Sequence, residues 1–364
     1  MPPDAPETDG IDADDILIRA AVYRERFIAS VSSDLIGRIR EAEIAHRGVL
    51  IARLDSLSSP DRVRYLAGRR RETARTEALA DEVDVIAATY RGETSSVIAE
   101  NGRELAGVER DLQRDMLADE GITGEVATAA SLYALARARP FAGGVLLADA
   151  MRTMTVNVRR TIERTVREGL LRSDDGATIA RTLMGRHALT GDGSTLGVHR
   201  RGADTITRTA LSQFGNQAAN DTIAALGVER YMWLSTLDGK TSAICRARDR
   251  KTYAVGEGPL PPAHPRCRSV TVAVTPARLA RTRASRGSDG RKPVESVSYG
   301  PWLRRQDRAF VEDTMGKTAA RLFLDGRLGI EKFVDHKTLR PLTIEQLRRR
   351  HGELFRRLRI DEAA

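Results

Sequence analysis

The sequence predicts a mainly α protein with a small α+β module: a long N-terminal helical region, an α+β domain, and a short helical C-terminal region. Three observations predict it. Apolar residues recur every three or four positions from Ile11 to about Arg186, which is the helical period. Two short runs, "ERYMWLST" and "RSVTVAV", then read as strands. Both cysteines of the chain fall in the irregular loop between those runs. At 364 residues the chain is long enough for roughly two domains of about 150 residues, each with its own core.

Residues 1–10 read as a flexible tail. The opening "MPPDAPETDGIDADD" is acidic and lacks the apolar stretch of a signal peptide. Residues 11–195 read as a helical region, a bundle or long hairpins. One stripe runs Ile16, Ala20, Tyr23, Phe27, Val31, Leu35 and Ile39, and a second runs Leu147, Met151, Met154, Val158, Ile162 and Val166. Each needs a covering partner, and the two could pair as an antiparallel hairpin. "SLSSPDR" and "RPFAGG" interrupt the period and mark breaks. "GRRRETARTE" reads as a solvated helix face.

The α+β domain spans 196–276. Ala203 to Leu226 is a helix, and Gly227 is its stop because glycine enters the left-handed conformation without steric cost. In the second strand run, Val270, Val272 and Val274 alternate, so one face should be buried. Between the strands, Asp238-Gly239 favours a turn. Gly256, Gly258, Pro259, Pro261 and Pro262 keep the chain irregular, leaving Cys245, His264 and Cys267 able to converge. The spacing C-x(18)-H-x(2)-C supplies three ligands of the kind zinc prefers, with Asp238 or Asp249 as a fourth. A second reading is a core in which His264 bonds a backbone carbonyl and the two reduced cysteines pack as small apolar residues. A third makes Cys245 a nucleophile, His264 its base and Asp238 the orienting group. Three protein ligands with an open position would also fit a catalytic zinc, but no glutamate accompanies them as in H-E-x-x-H.

Residues 277–297 are rich in Arg, Ser and Gly without an apolar period and read as a flexible basic linker whose arginines could meet phosphate. Residues 298–364 read as short helices: two joined by glycine turns within "YGPWLRRQDRAFVEDTMGKTAARLFLDGRLGIEKFVD", and a final one over "LTIEQLRRRHGELFRRL" capped by Thr343 with Gln346 three residues on. The formal charge is +9 and the isoelectric point is near 9.9. This suits an acidic partner such as nucleic acid. All six lysines lie at or beyond Lys240, however, so nearly all the positive charge is arginine, which codon bias alone can produce. Two cysteines do not make a disulfide framework, and no run approaches the roughly 20 apolar residues that cross a bilayer.

The succession "ADTITRTALSQFGNQAAND", "GVERYMWLSTLDGKTSAICRARDRKTYAV" and "GPLPPAHPRCRSVTVAV" resembles the phage Mu protein F family of minor head proteins, which includes the minor capsid protein of phage SPP1. Arg208 and Thr209 match its helix motif, and Asn216 or Asn220 its asparagine. Trp233, Ser235, Asp238, Thr241 and Cys245 match its middle, and Pro261, Pro262, His264, Pro265, Cys267 and Arg268 its close. Ala210 stands where the family often has glutamate, and Ser269 where it often has a second cysteine. The C-terminal stretch is similar to the tails that follow this domain in phage head proteins, at Trp302, Leu303, Gln306, Gly316, Arg321, Leu322, Phe323 and Gly326. The resemblance implies a Mu protein F-like α+β domain in a minor capsid protein of a tailed phage or prophage. Such a protein is made in the host cytoplasm and sits in the virion, inside the head near the portal. Its expected partners are the portal protein, capsid or scaffold proteins and, non-specifically, double-stranded DNA, with no membrane. The loop would act as an architectural clasp, with or without structural zinc, and no catalytic residue is implied. The alternative is a zinc-dependent or toxin-like enzyme carried in a phage particle.

Overall fold

The computed structural model describes residues 13–185, 193–275, 282–295, 297–335, 338 and 340–360, with the side chains of 13–19, 282–284 and 291–295 left aside. The expected N-terminal tail lies outside these residues. Among them are thirteen α-helices and six short strands, a mainly α fold with a small α+β part. The helices run α1 (Ala13–Asp55), α2 (Ser59–Leu66), α3 (Ala74–Ala118), α4 (Ala129–Ala138), α5 (Leu147–Leu171), α6 (Gly176–Met184) and α7 (Gly197–Ala225). Then come β1 (Arg230–Leu234), β2 (Leu237–Asp238), α8 (Ala243–Arg248), β3 (Thr252–Ala254), β4 (Val270–Ala273), β5 (Thr282–Gly287) and β6 (Gly290–Glu295). Five helices close the chain: α9 (Tyr299–Arg304), α10 (Arg308–Met315), α11 (Lys317–Leu324), α12 (Ile344–Arg350) and α13 (Gly352–Arg357).

The residues group into two compact units. The first holds Arg26–Glu104 and the described residues from Arg137 to Leu211; the second holds Leu105–Ala136 and the described residues ahead of Arg26 and from Ser212 on. In the first unit the parts of both apolar stripes that it contains are buried. Phe27, Leu35 and Ile39 on α1 and Val158, Ile162 and Val166 on α5 are fully enclosed. Each such side chain contributes about 1.5–3 kcal/mol relative to exposure, before conformational entropy is subtracted. The same helices are tied by polar contacts. Glu43 of α1 accepts from Tyr90 of α3 and from Arg200 of α7, all three buried. Arg200 Nη2 also donates to Ser194 Oγ at 2.6 Å. Asp55 Oδ1 accepts from Gly176 N at 2.9 Å, so the end of α1 caps the start of α6.

The breaks have local causes. Pro60 sits in the first turn of α2, and Ser58 and Asp61 close a reciprocal capping box. The arginine run is a turn ahead of α3 rather than a helix face: Arg71 reaches Asp81 at 2.6 Å and Asp84 at 2.9 Å, and Arg70 pairs with Glu163.

The second unit carries both sheets. One is ordered β3-β1-β4, with β1 antiparallel to both neighbours and Trp233 opposite Thr271. Met232, Leu234 and Val272 form a small cluster joined by Val270 and Val274. Thr271 and Ala273 on the other face of β4 are buried too, so the strand is covered on both sides and not on one as its alternation suggests. Gly227 ends the chain's turn after α7 at φ +75, as glycine permits.

The basic stretch expected as a linker differs most. Residues 282–295 form an antiparallel hairpin, β5 with β6, and β5 also pairs in parallel with β2. Ser288-Asp289-Gly290 makes the turn, with Gly290 at φ +98. Backbone pairing to β2 orders strands that have almost no apolar residues to announce them.

The C-terminal elements fold around a core of Tyr299, Trp302, Leu303, Leu322, Phe323, Phe333 and Phe355 that includes Leu237 of β2. Three helices, α9 to α11, replace the two expected, with Gly316 at φ +82 between α10 and α11. The expected final helix divides at His351, whose backbone leaves the helical region ahead of Gly352. Its start keeps the Thr343–Gln346 capping box.

Candidate functional site

The loop between β1 and β4 closes over Trp233. This side chain is wholly buried against Cys245 and Cys267, with Tyr253 and Ala263 beside them, and the Arg248 guanidinium lies 5.0 Å from the ring. Its indole N–H donates to Ser235 Oγ at 3.0 Å, Ser235 Oγ donates to the Cys245 carbonyl at 2.8 Å, and Ser269 Oγ lies 3.2 Å from Ser235 Oγ. A chain of serine hydroxyls thus satisfies the polar atoms that the aromatic core would otherwise bury alone.

Cys245 is placed by α8, whose N-cap Ser242 accepts from Cys245 N at 3.4 Å. His264 and Cys267 come from the "PPAHPRC" turn, in which Pro261–Pro262 is cis and Arg266 takes a left-handed φ of +59. Cys267 N donates to the His264 carbonyl at 3.2 Å. Three ligand-bearing side chains therefore meet: Cys245 Sγ lies 3.3 Å from His264 Nε2 and 3.6 Å from Cys267 Sγ, and all three ligand atoms lie within 4.8 Å of one another. The other ring nitrogen, His264 Nδ1, lies 2.8 Å from the Pro265 carbonyl, an acceptor only, which assigns the Nδ1 proton.

The two thiols divide their protons unequally. Cys267 accepts from Cys245 and sits beside His264, which outweighs burial and pushes it down to about 4. The same contact and burial push Cys245 far up. His264 is held above its ordinary value, first by Cys267 and against burial. The Pro265 carbonyl on Nδ1 occupies the place an orienting carboxylate would need. A cavity of about 20 Å³ touches Cys245 and His264, room for a water.

Asp238 is not with the three ligands, contrary to the sequence expectation. Arg268 holds it from two sides at 2.6 and 2.8 Å, Lys240 N donates to it at 3.0 Å and Thr241 Oγ1 at 3.1 Å. Burial raises its pKa, and the Arg268 guanidinium outweighs burial and leaves it below the ordinary carboxylate value. Asp249, the other candidate fourth ligand, is also a strut: Oδ1 accepts from Ser235 N and Oδ2 from Tyr299 N, both at 2.8 Å. Tyr299 in turn donates its hydroxyl to the Asp238 carbonyl at 2.6 Å. Arg208 bonds Asp204 at 2.7 Å and Thr209 its own helix at 2.6 Å; both belong to the first unit. Of the two asparagines, Asn216 reaches the loop. Its amide donates to the Ser212 carbonyl at 2.8 Å and the Ser269 carbonyl at 3.3 Å, while Arg24 donates to its oxygen at 3.0 Å. Ser212 adds a bond to the Cys267 carbonyl at 3.0 Å. Sequence reasoning missed Arg24, Glu109, Ser212 and Tyr299, which lie far from the loop in the chain and carry no local signal.

Residues 158–272 match the family model described as phage Mu protein F like protein. No curated protein and no solved structure matches the chain. The matched segment begins inside α5, ahead of the start at 196 expected from the sequence, and holds α7, β1, α8, β3 and every residue of the loop described above. The chain therefore carries a phage Mu protein F-like domain over residues 158–272.

Proposed function

We propose that the chain is a minor head protein of a tailed phage or prophage, carried in the virion, where it binds the portal and the interior of the capsid. The family match over 158–272 carries this reading. The loop supports an architectural role for that domain: Ser235, Asp249 and Asn216 are spent on holding its backbone. Contact with packaged DNA is part of the proposal. Arg348, Arg349, Arg350, Arg356, Arg357 and Arg359 are all exposed on α12, α13 and the residues after them, a charge suited to phosphates and indifferent to sequence.

Quantitative mass spectrometry of purified particles tests the reading, with the portal ring as the internal standard. A low, fixed copy number per portal supports it, and absence from particles sinks it. DNA contact is tested separately by binding to random-sequence duplex across a salt series. Affinity falling steeply with salt is the expected result, and a flat or absent response removes DNA from the proposal.

A further inference from the structure

Cys245, His264 and Cys267 have a geometry that neither the family match nor the clasp role requires. In a tetrahedral zinc site with Zn–S near 2.3 Å and Zn–N near 2.0–2.1 Å, two sulfurs lie about 3.8 Å apart, and a sulfur and a nitrogen about 3.5 Å apart. Here the sulfurs are 3.6 Å apart and Cys245 Sγ is 3.3 Å from His264 Nε2. These two edges are those of a zinc tetrahedron to within a few tenths of an ångström, and all three ligand atoms lie within 4.8 Å of one another. His264 Nδ1 faces the Pro265 carbonyl, the outer contact that fixes the tautomer of a ligating histidine and turns the Nε2 lone pair inward. Two cysteine sulfurs and one imidazole, brought together from α8 and the "PPAHPRC" turn, are a soft donor set that favours zinc over magnesium or calcium. The cavity of about 20 Å³ beside Cys245 and His264, which Ser269 also lines, has room for one water.

We infer that Cys245 Sγ, His264 Nε2 and Cys267 Sγ bind a single zinc ion, with a water in the adjoining cavity as fourth ligand, and that the ion fastens the "PPAHPRC" turn to α8. The role is structural, a cross-link between two segments of the same loop. The inference does not rest on the head-protein reading. A particle-borne chain without zinc would sink this one alone, and a zinc-loaded chain absent from particles would sink the other alone.

The test uses the full chain purified under reducing conditions, with both thiols verified free, and dialysed against zinc-free buffer. Elemental analysis should find about one zinc per chain. Replacement by cobalt should give the intense visible bands of a tetrahedral ion together with thiolate-to-cobalt charge transfer. His264→Ala should weaken binding beyond the ~10–100-fold that loss of an outer-shell partner costs, and His264→Cys, which restores a ligand, should recover it. No zinc in the reduced chain, or a cobalt spectrum without thiolate charge transfer, overturns the inference. So does recovery of Cys245 and Cys267 as a disulfide from a reducing cytoplasm. The cobalt spectrum of the unaltered chain decides the matter even where the variants fail to fold.

Discussion

The helices of the first unit and the loop over Trp233 are held together by opposite means. Along α5, side chains from Leu147 to Val166 line up at helical spacing and bury one continuous stripe, and the backbone satisfies itself within the helix. In the loop, three buried side chains, Trp233, Cys245 and Cys267, make a small apolar cluster with Tyr253 and Ala263 against it, and the backbone is irregular. Its groups are satisfied one by one by Ser235, Asp238, Asp249, Ser212 and Asn216. A stripe averages its stability over many interchangeable methyl groups, whereas a clasp concentrates it in a few groups that cannot be exchanged.

The largest expected effect attacks the clasp at its centre. Trp233→Ala should cost about 3–5 kcal/mol. Hydrogen exchange should then show loss of protection across β1, α8 and β4 while α5 stays protected; equal loss in both regions would mean the contrast is false. A comparable loss is expected from a polar residue of the helical unit. Glu43→Ala leaves the buried Arg200 guanidinium without its carboxylate and should destabilise by about 3–5 kcal/mol, read as a shift in the denaturant midpoint. A loss near that of an exposed pair, below about 1 kcal/mol, would show that water reaches the site.

Acid separates the two regions next. Asp238 is held below its ordinary value by Arg268, so its folded pKa lies under its unfolded one. The stability it contributes is complete above about pH 4, the unfolded value, and is lost as pH falls through the folded value. Asp238→Asn should therefore be less stable than the parent at neutral pH, and the gap should close below about pH 4. A gap independent of pH would assign the loss to packing. The smallest effect belongs to a helix cap: Ser58→Ala opens the capping box of α2 and should cost about 1 kcal/mol in the helical unit while leaving loop protection unchanged.

The same contrast governs what could be read from the sequence. The stripes of α1 and α5, the breaks at Pro60 and Gly143-Gly144, the stop at Gly227 and the cap at Thr343 are local patterns with local causes, and each was legible. The convergence of Cys245, His264 and Cys267 was legible as spacing, but the fourth-ligand role of Asp238 was not decidable there, because its partner Arg268 lies thirty residues away. The hairpin of β5 and β6 was hidden for a related reason. Its order comes from backbone pairing with β2, which leaves no apolar rhythm, although "SDG" marks its turn. Arg24, Glu109 and Asn216 come together from three separate helices, and nothing in a single helix announces a contact with the other two.

Asp249 places two main-chain amides, those of Ser235 and Tyr299, on one carboxylate. This makes the edge of the recognisable domain different from the edge of the folded one. A fragment cut at residue 272, where the family match ends, would strand one Asp249 oxygen, remove the Tyr299 hydroxyl from the Asp238 carbonyl, and deprive Arg246 of the Thr314 carbonyl it reaches at 3.0 Å. Leu237 would also lose the aromatic cluster that covers it. The tail after β4 thus folds with the loop as one piece, and a boundary drawn to preserve the fold has to enclose both.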